Sequence, residues 1–109
     1  MNITIVAKKL DLTPSIKKFI EDKFGSLARM VSSFEKEGEL DCFVEISRTT
    51  RHHKSGEVFY TEATFRLPGK TLRAEAADLD IRVAIDGVKD TLKAEIKKYK
   101  EKTNEKRKK

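Results

Sequence analysis

The chain has 109 residues, which allows one compact domain and not two, and its 38% hydrophobic content permits only a small core. No apolar run approaches the roughly 20 residues that a membrane-spanning helix needs, and the N-terminus enters a strand-like pattern with no signal-peptide character. The formal net charge is +6, and all of it lies from Lys97 onward, where eight basic residues meet two acidic ones while residues 1 to 96 balance; so concentrated a positive end favours a polyanionic partner.

Residues Asn2 to Lys8 read as a strand, with Ile3 and Ile5 alternating with Thr4 and β-branched Val6 following. Thr13-Pro14 marks a helix start, because threonine caps well and proline at the first helical position gives up only a donor that has no partner there. Ile16, Phe19, Ile20, Phe24, Leu27 and Val31 then recur at spacings of three and four, which makes one buried helical face. Gly25 sits inside this helix at a cost of about 1 kcal/mol relative to alanine. A close approach to the sheet is the expected reason for it.

A charged turn around Gly38 leads to a strand from Asp41 to Thr50, with Cys42, Val44 and Ile46 on one face and Phe43, Glu45 and Ser47 on the other. Arg51 to Glu57 is a polar loop. Val58 to Leu67 forms the next strand, with Phe59, Ala63, Phe65 and Leu67 on one face. Pro68-Gly69 turns the chain into a strand from Thr71 to Ala77, whose Leu72, Ala74 and Ala76 face inward. Short connections make the last three strands an antiparallel meander. A second helix starts near Asp78 or Asp80, with Ile81, Ile85, Val88, Leu92, Ile96 and Tyr99 as its apolar face, and is expected to run to about Lys102. The predicted fold is α+β, of order β-α-β-β-β-α. It is a four-stranded sheet with two helices on one face and the other face open. Residues 1 to 102 form the domain, and residues 103 to 109 are expected to be a basic, flexible tail.

The basic residues of the second helix carry the functional signal. At 100° per residue, Arg82, Lys89, Lys93, Lys97 and Lys100 fall within an arc of about 80°, away from the apolar face. Lys98 and Lys102 point elsewhere, and Asp86 and Asp90 interrupt the N-terminal half. Such a surface can neutralise RNA phosphates and release counterions, although it is also what the solvated side of any amphipathic helix looks like. Lys17, Lys18, Lys23 and Arg29 add charge on the first helix.

Other chemistry has little support. The adjacent His52 and His53 in the basic loop lack a nearby cysteine or third histidine, so no metal site is expected. There is no nucleophile elbow, phosphate-cradling glycine loop or H-E-x-x-H, and Glu62 and Glu75 read as solvent-facing sheet residues. Cys42 alternates with core residues, is expected to be packed rather than reactive, and suits a reducing cytosol. Neither an enzyme nor a cofactor is indicated. Tyr60 falls on the open face without the paired aromatics of an RNA-recognition motif.

The stretch L-R-A-E-A-A-D-L-D-I-R-V-A-I-D-G-V from Leu72 to Val88 resembles the segment entering the last helix of ribosome hibernation promoting factors and ribosome-associated inhibitors, a family with A-x-A-x-x-x-D-M-Y-A-A-I-D there. Asp80, Ala84, Ile85 and Asp86 match it. M-N-I-T-I, L-T-P-S-I-K-K-F-I, K-F-G-S-L and the K-K-Y-K of Lys97 to Lys100 also look like the family, so the resemblance spans nearly the whole chain. It implies a domain similar to a double-stranded RNA-binding domain with an added N-terminal strand. It also implies lodging between head and platform of the small ribosomal subunit, across the mRNA and tRNA decoding channel. Translation would be blocked there under stress or in stationary phase, in the cytoplasm, with rRNA as partner and no small-molecule substrate.

Lys17, Lys23, Lys98 and Lys100 match family positions and join Arg82, Lys89, Lys93 and Lys97 as the expected rRNA-binding set. The chain departs from the pattern at Arg82, where the family has tyrosine, and at Thr91 and Ala94, where the family is basic. The 109 residues are without the extra C-terminal domain of the long form, so the resemblance implies the short form, which is expected to be a monomer off the ribosome. Two other readings remain open: a general double-stranded RNA-binding module, and a protein-interaction modulator of a sigma factor.

Overall fold

The computed structural model describes residues 1–38, 40–49 and 58–107. The elements are β1 (Asn2–Lys8), α1 (Pro14–Met30), a 3-10 turn (Ser32–Glu37), β2 (Asp41–Arg48), β3 (Phe59–Leu67), β4 (Lys70–Asp78) and α2 (Ile81–Arg107). The expected β-α-β-β-β-α order is the observed one, with the 3-10 turn added after α1. The expected β2 end at Thr50 and the loop carrying Arg51, His52, His53 and Lys54 lie outside the described residues.

The sheet order is β1-β2-β3-β4. β1 runs parallel to β2, with Ile3 beside Cys42 and Ile5 beside Val44. β2, β3 and β4 form the antiparallel meander. A parallel neighbour needs a crossover, and α1 supplies it. Period-two alternation in every strand then sends one set of side chains to the helices. Cys42, Val44, Ile46, Ala63, Phe65, Leu67, Leu72 and Ala74 are buried there against Ile20, Phe24, Leu27 and Val31 of α1 and Ile81, Ile85, Val88, Leu92 and Ile96 of α2. Thr61 shares that inward face and is fully buried, and its hydroxyl has no hydrogen-bond partner among the described residues.

Caps fix the helix starts. Thr13 Oγ1 accepts a hydrogen bond from the Ile16 amide at 3.2 Å, with Pro14 opening α1. Asp80 caps α2, its Oδ1 accepting from the Arg82 amide at 2.9 Å. The close approach expected at Gly25 is made elsewhere: a Cβ at Gly25 would meet nothing within 4 Å, whereas one at Gly87 would come 3.2 Å from Ala76 Cβ. Gly87 is therefore where α2 presses on β4. Gly69, at φ +73°, turns β3 into β4 in a conformation that glycine adopts without strain.

The helix α2 continues past the expected end at Lys102 to Arg107. Glutamate, lysine and arginine are good helix formers, and the Thr103 hydroxyl donates to the Tyr99 carbonyl at 2.9 Å. At 1.5 Å per residue, its 27 residues span roughly 40 Å. The last large side chain packed against the core is Tyr99, whose hydroxyl donates to the Pro68 carbonyl at 2.7 Å, at the β3–β4 turn. Its ring also meets Phe34 edge-on, with centroids 5.1 Å apart. The remaining turns of α2 stand beyond that end of the sheet.

Candidate nucleic-acid interface

The candidate surface lies where α1 and α2 pack side by side. Ser15 meets Arg82 and Lys23 meets Asp86, in ascending order on both helices, so the two helices run parallel. Arg82 Nη2 donates to Ser15 Oγ at 2.9 Å, and its guanidinium lies 5.7 Å from the centre of the Phe19 ring. Lys23 Nζ lies 5.3 Å from the same ring centre and 3.1 Å from Asp86 Oδ1. Phe19 is half-buried, packed on the core along one side and lying near two cations along the helix seam. The spacing Ser15, Phe19, Lys23 is a single row at intervals of four. Periodicity places Phe19 in the core, and only the second helix reveals its other use.

One turn further along α2, Lys89 Nζ sits 2.7 Å from Asp90 Oδ1, and the Lys89 side chain is only 19% exposed. The hydrogen bond and charge of Lys89, joined by Lys93 and Lys23, hold the exposed Asp90 carboxyl below the usual carboxylate range. Beyond this point Lys93 and Lys97 are exposed and Lys100 is half-buried. No ion pair engages these three among the described residues.

The expected set therefore divides. Lys23, Arg82, Lys89, Lys93, Lys97 and Lys100 share the α1-facing flank of α2, with the first three already engaged by the protein itself. Lys17 is exposed on the opposite flank of α1, where it borders a groove with Ile3, Ile5, Leu12 and Glu21. Lys98 points away from the stripe and pairs with Glu95 at 3.7 Å. The structure does not bring Lys17 and Lys98 into the cluster.

The open sheet face offers a different chemistry. Glu45, Glu62 and Glu75 lie in register across three strands. Glu45 pairs with Lys8 at 3.0 Å and Glu62 with Arg73 at 2.9 Å. Tyr60 and Phe43 are exposed there, with Arg66 5.2 Å from the Phe43 ring centre. On the other side of the sheet, burial pushes the Cys42 thiol up to about 12, which removes it as a nucleophile near neutral pH.

A parallel helix pair over a mixed four-stranded sheet, carrying a lysine-rich flank on the second helix, defines a small α+β domain with one basic side. The family described as Sigma 54 modulation protein / S30EA ribosomal protein matches residues 3–104. The chain belongs to this ribosome-associated family. It is 28% identical over 102 residues to a ribosome hibernation promoting factor of Pseudomonas putida, covering 94% of this chain and 89% of that protein. It is 31% identical over 108 residues to a ribosome hibernation promotion factor of Lactococcus lactis, covering 97% of this chain but 53% of that longer protein. Among solved structures, the Thermus thermophilus protein Y N-terminal domain superposes with a TM-score of 0.73 at 29% identity, covering 91% of this chain and 99% of that one. A ribosomal subunit interface protein from Coxiella burnetii has the same fold, with a TM-score of 0.73 at 21% identity, covering 92% and 98%.

Proposed function

We infer that this protein is a ribosome hibernation factor of the cytoplasm. It binds the small ribosomal subunit in the mRNA and tRNA decoding channel and idles it under stress or in stationary phase. The observation that carries this reading is the basic flank of α2, where Lys93, Lys97 and Lys100 follow one another on one helix with no ion-pair partner among the described residues, in a chain whose relatives are named for ribosome hibernation. Mechanistically, the lysines neutralise rRNA phosphates and release their counterions. The folded domain then occupies space that mRNA and tRNA need, so inhibition is steric and no bond is made or broken. Arg82, held over Phe19 by its hydrogen bond to Ser15, supplies charge at a defined position rather than as a diffuse cloud. Off the ribosome the protein is a monomer.

Co-sedimentation with purified small subunits, large subunits and free duplex RNA across a salt series tests this reading. The expected result is saturable binding to small subunits at about one copy each, with little on the others. Equal binding to all three, lost together as salt rises, would leave a general RNA-binding module instead.

A further inference from the structure

Two carboxylates stand inside a surface whose proposed use is to bind phosphate. Asp86 and Asp90 occupy the same flank of α2 as Arg82, Lys89, Lys93 and Lys97. Neither contributes to the core. Asp86 Oδ1 is shielded from solvent and makes no hydrogen bond among the described residues; its neighbour is Lys23 Nζ at 3.1 Å, placed as an ion pair without hydrogen-bond geometry. Asp90 lies exposed on the crest, 2.7 Å from Lys89 Nζ. A plain phosphate-binding helix would gain from lysine or alanine at both positions. Like charges cost binding wherever a phosphate comes to rest beside them.

We propose that Asp86 and Asp90 are specificity-determining residues, which penalise generic RNA and leave binding to the shaped small-subunit site. This inference rests on the ribosome-binding reading above. On a regular duplex, phosphates recur at even spacing along the helix face. A carboxylate on the crest then meets a phosphate whichever register is chosen, and Lys23 and Lys89 must leave their own partners to reach the RNA. A folded rRNA site has irregular phosphate positions, so it can present phosphates to Lys93, Lys97 and Lys100 and leave a gap at the carboxylates. Selectivity comes from a cost imposed on the wrong ligand as much as from attraction to the right one.

The test uses the full chain with D90N, D86N and the double variant, in the same salt series with purified small subunits and free duplex RNA. Asp90 is exposed, so D90N serves as the variant whose folding is not at stake, and thermal melting checks D86N, whose residue bridges the helices. For D90N, affinity for duplex RNA is expected to rise about two- to fivefold, the range spanned by one exposed ion pair. Its salt dependence should steepen by up to about 0.9 in log–log slope as Lys89 becomes available. Small-subunit affinity should change by less, so the preference for the subunit falls. An unchanged preference, or a parallel rise on both ligands, would overturn the inference while leaving the ribosome-binding reading intact. Failure of the unmodified protein to bind small subunits would remove both.

Discussion

Replacing Lys93, Lys97 and Lys100 together by glutamine removes the three amines of the α2 flank that no carboxylate engages among the described residues. Each phosphate left without its lysine should flatten the log–log salt dependence of binding by roughly 0.7 to 0.9, so three of them amount to about two to three units. The matched control is Lys89→Gln with Lys98→Gln. Those amines already lie 2.7 Å from Asp90 and 3.7 Å from Glu95, so each pair presents little net charge. Their joint removal should flatten the slope by less than about one unit. The assay is small-subunit co-sedimentation from low to physiological salt, with circular dichroism to confirm that the changed positions, all on the surface of α2, leave the fold intact. Equal flattening in both variants would mean that intramolecular pairing does not decide which lysines meet RNA. An unchanged slope in the triple variant would remove this flank as the RNA-binding surface.

Three further outcomes test the fold. Thr61→Val deletes a buried hydroxyl that has no partner among the described residues and should stabilise by about 1 kcal/mol, a rise of roughly 4 to 8 °C in Tm; a lower Tm would show that the hydroxyl is bonded. Gly25→Ala should add up to about 1 kcal/mol of stability in denaturant melts, because its Cβ meets nothing, whereas Gly87→Ala should gain less or lose, because its Cβ meets Ala76 at 3.2 Å; equal gains would contradict that packing. Burial raises the Cys42 thiol from 9.0 to about 12, so the unfolded chain releases its proton first as pH rises. The stability owed to this group is complete below about pH 9 and is lost between there and about 12. Urea melts at rising pH should therefore show a decline that Cys42→Ala lacks, and a thiol reagent at pH 8 should label the chain only after denaturation.

Much of the fold is legible in the sequence because it follows from local rules. Thr13-Pro14 and Asp80 announce helices through capping chemistry, and period-two alternation marks each strand. The position of β1 is less legible. Nothing within M-N-I-T-I-V-A-K says which strand it joins, and its parallel place beside β2 is set by the α1 crossover. The end of α2 is hidden for a related reason. After Tyr99 the apolar period stops, so residues beyond Thr103 look like a fraying tail, yet the helix propensity of glutamate, lysine and arginine carries the helix to Arg107. For the site, a helical wheel correctly gathers Arg82, Lys89, Lys93, Lys97 and Lys100, because that is backbone geometry. It does not say which flank of α1 faces α2, so it cannot show that Lys17, expected on the family resemblance, stands on the flank of α1 away from the α2 stripe. Nor does it say which amines find partners, since Lys23–Asp86 and Arg82–Ser15 bridge two helices far apart in sequence.

The hydrogen bond from Tyr99 to the Pro68 carbonyl links the fold to its proposed work. The apolar stripe of α2 from Ile81 to Ile96 packs on the sheet, and Tyr99 extends it by one more turn. Tyr99 ties the helix to the β3–β4 turn at 2.7 Å and packs against Phe34. That anchor lies between Lys97 and Lys100, so both amines stand on backbone that cannot swing away from the sheet. Lysines on a fixed backbone surrender only side-chain freedom on meeting a phosphate, whereas lysines on a loose tail surrender backbone freedom as well, at about 1 to 2 kcal/mol per residue. The same charge is thereby worth more for binding, and it acts at one place relative to Arg82 and Lys23, which Phe19 and Ser15 hold roughly three to five helical turns away. A rigid charge pattern of that length can discriminate among phosphate arrangements, which a flexible basic tail cannot do.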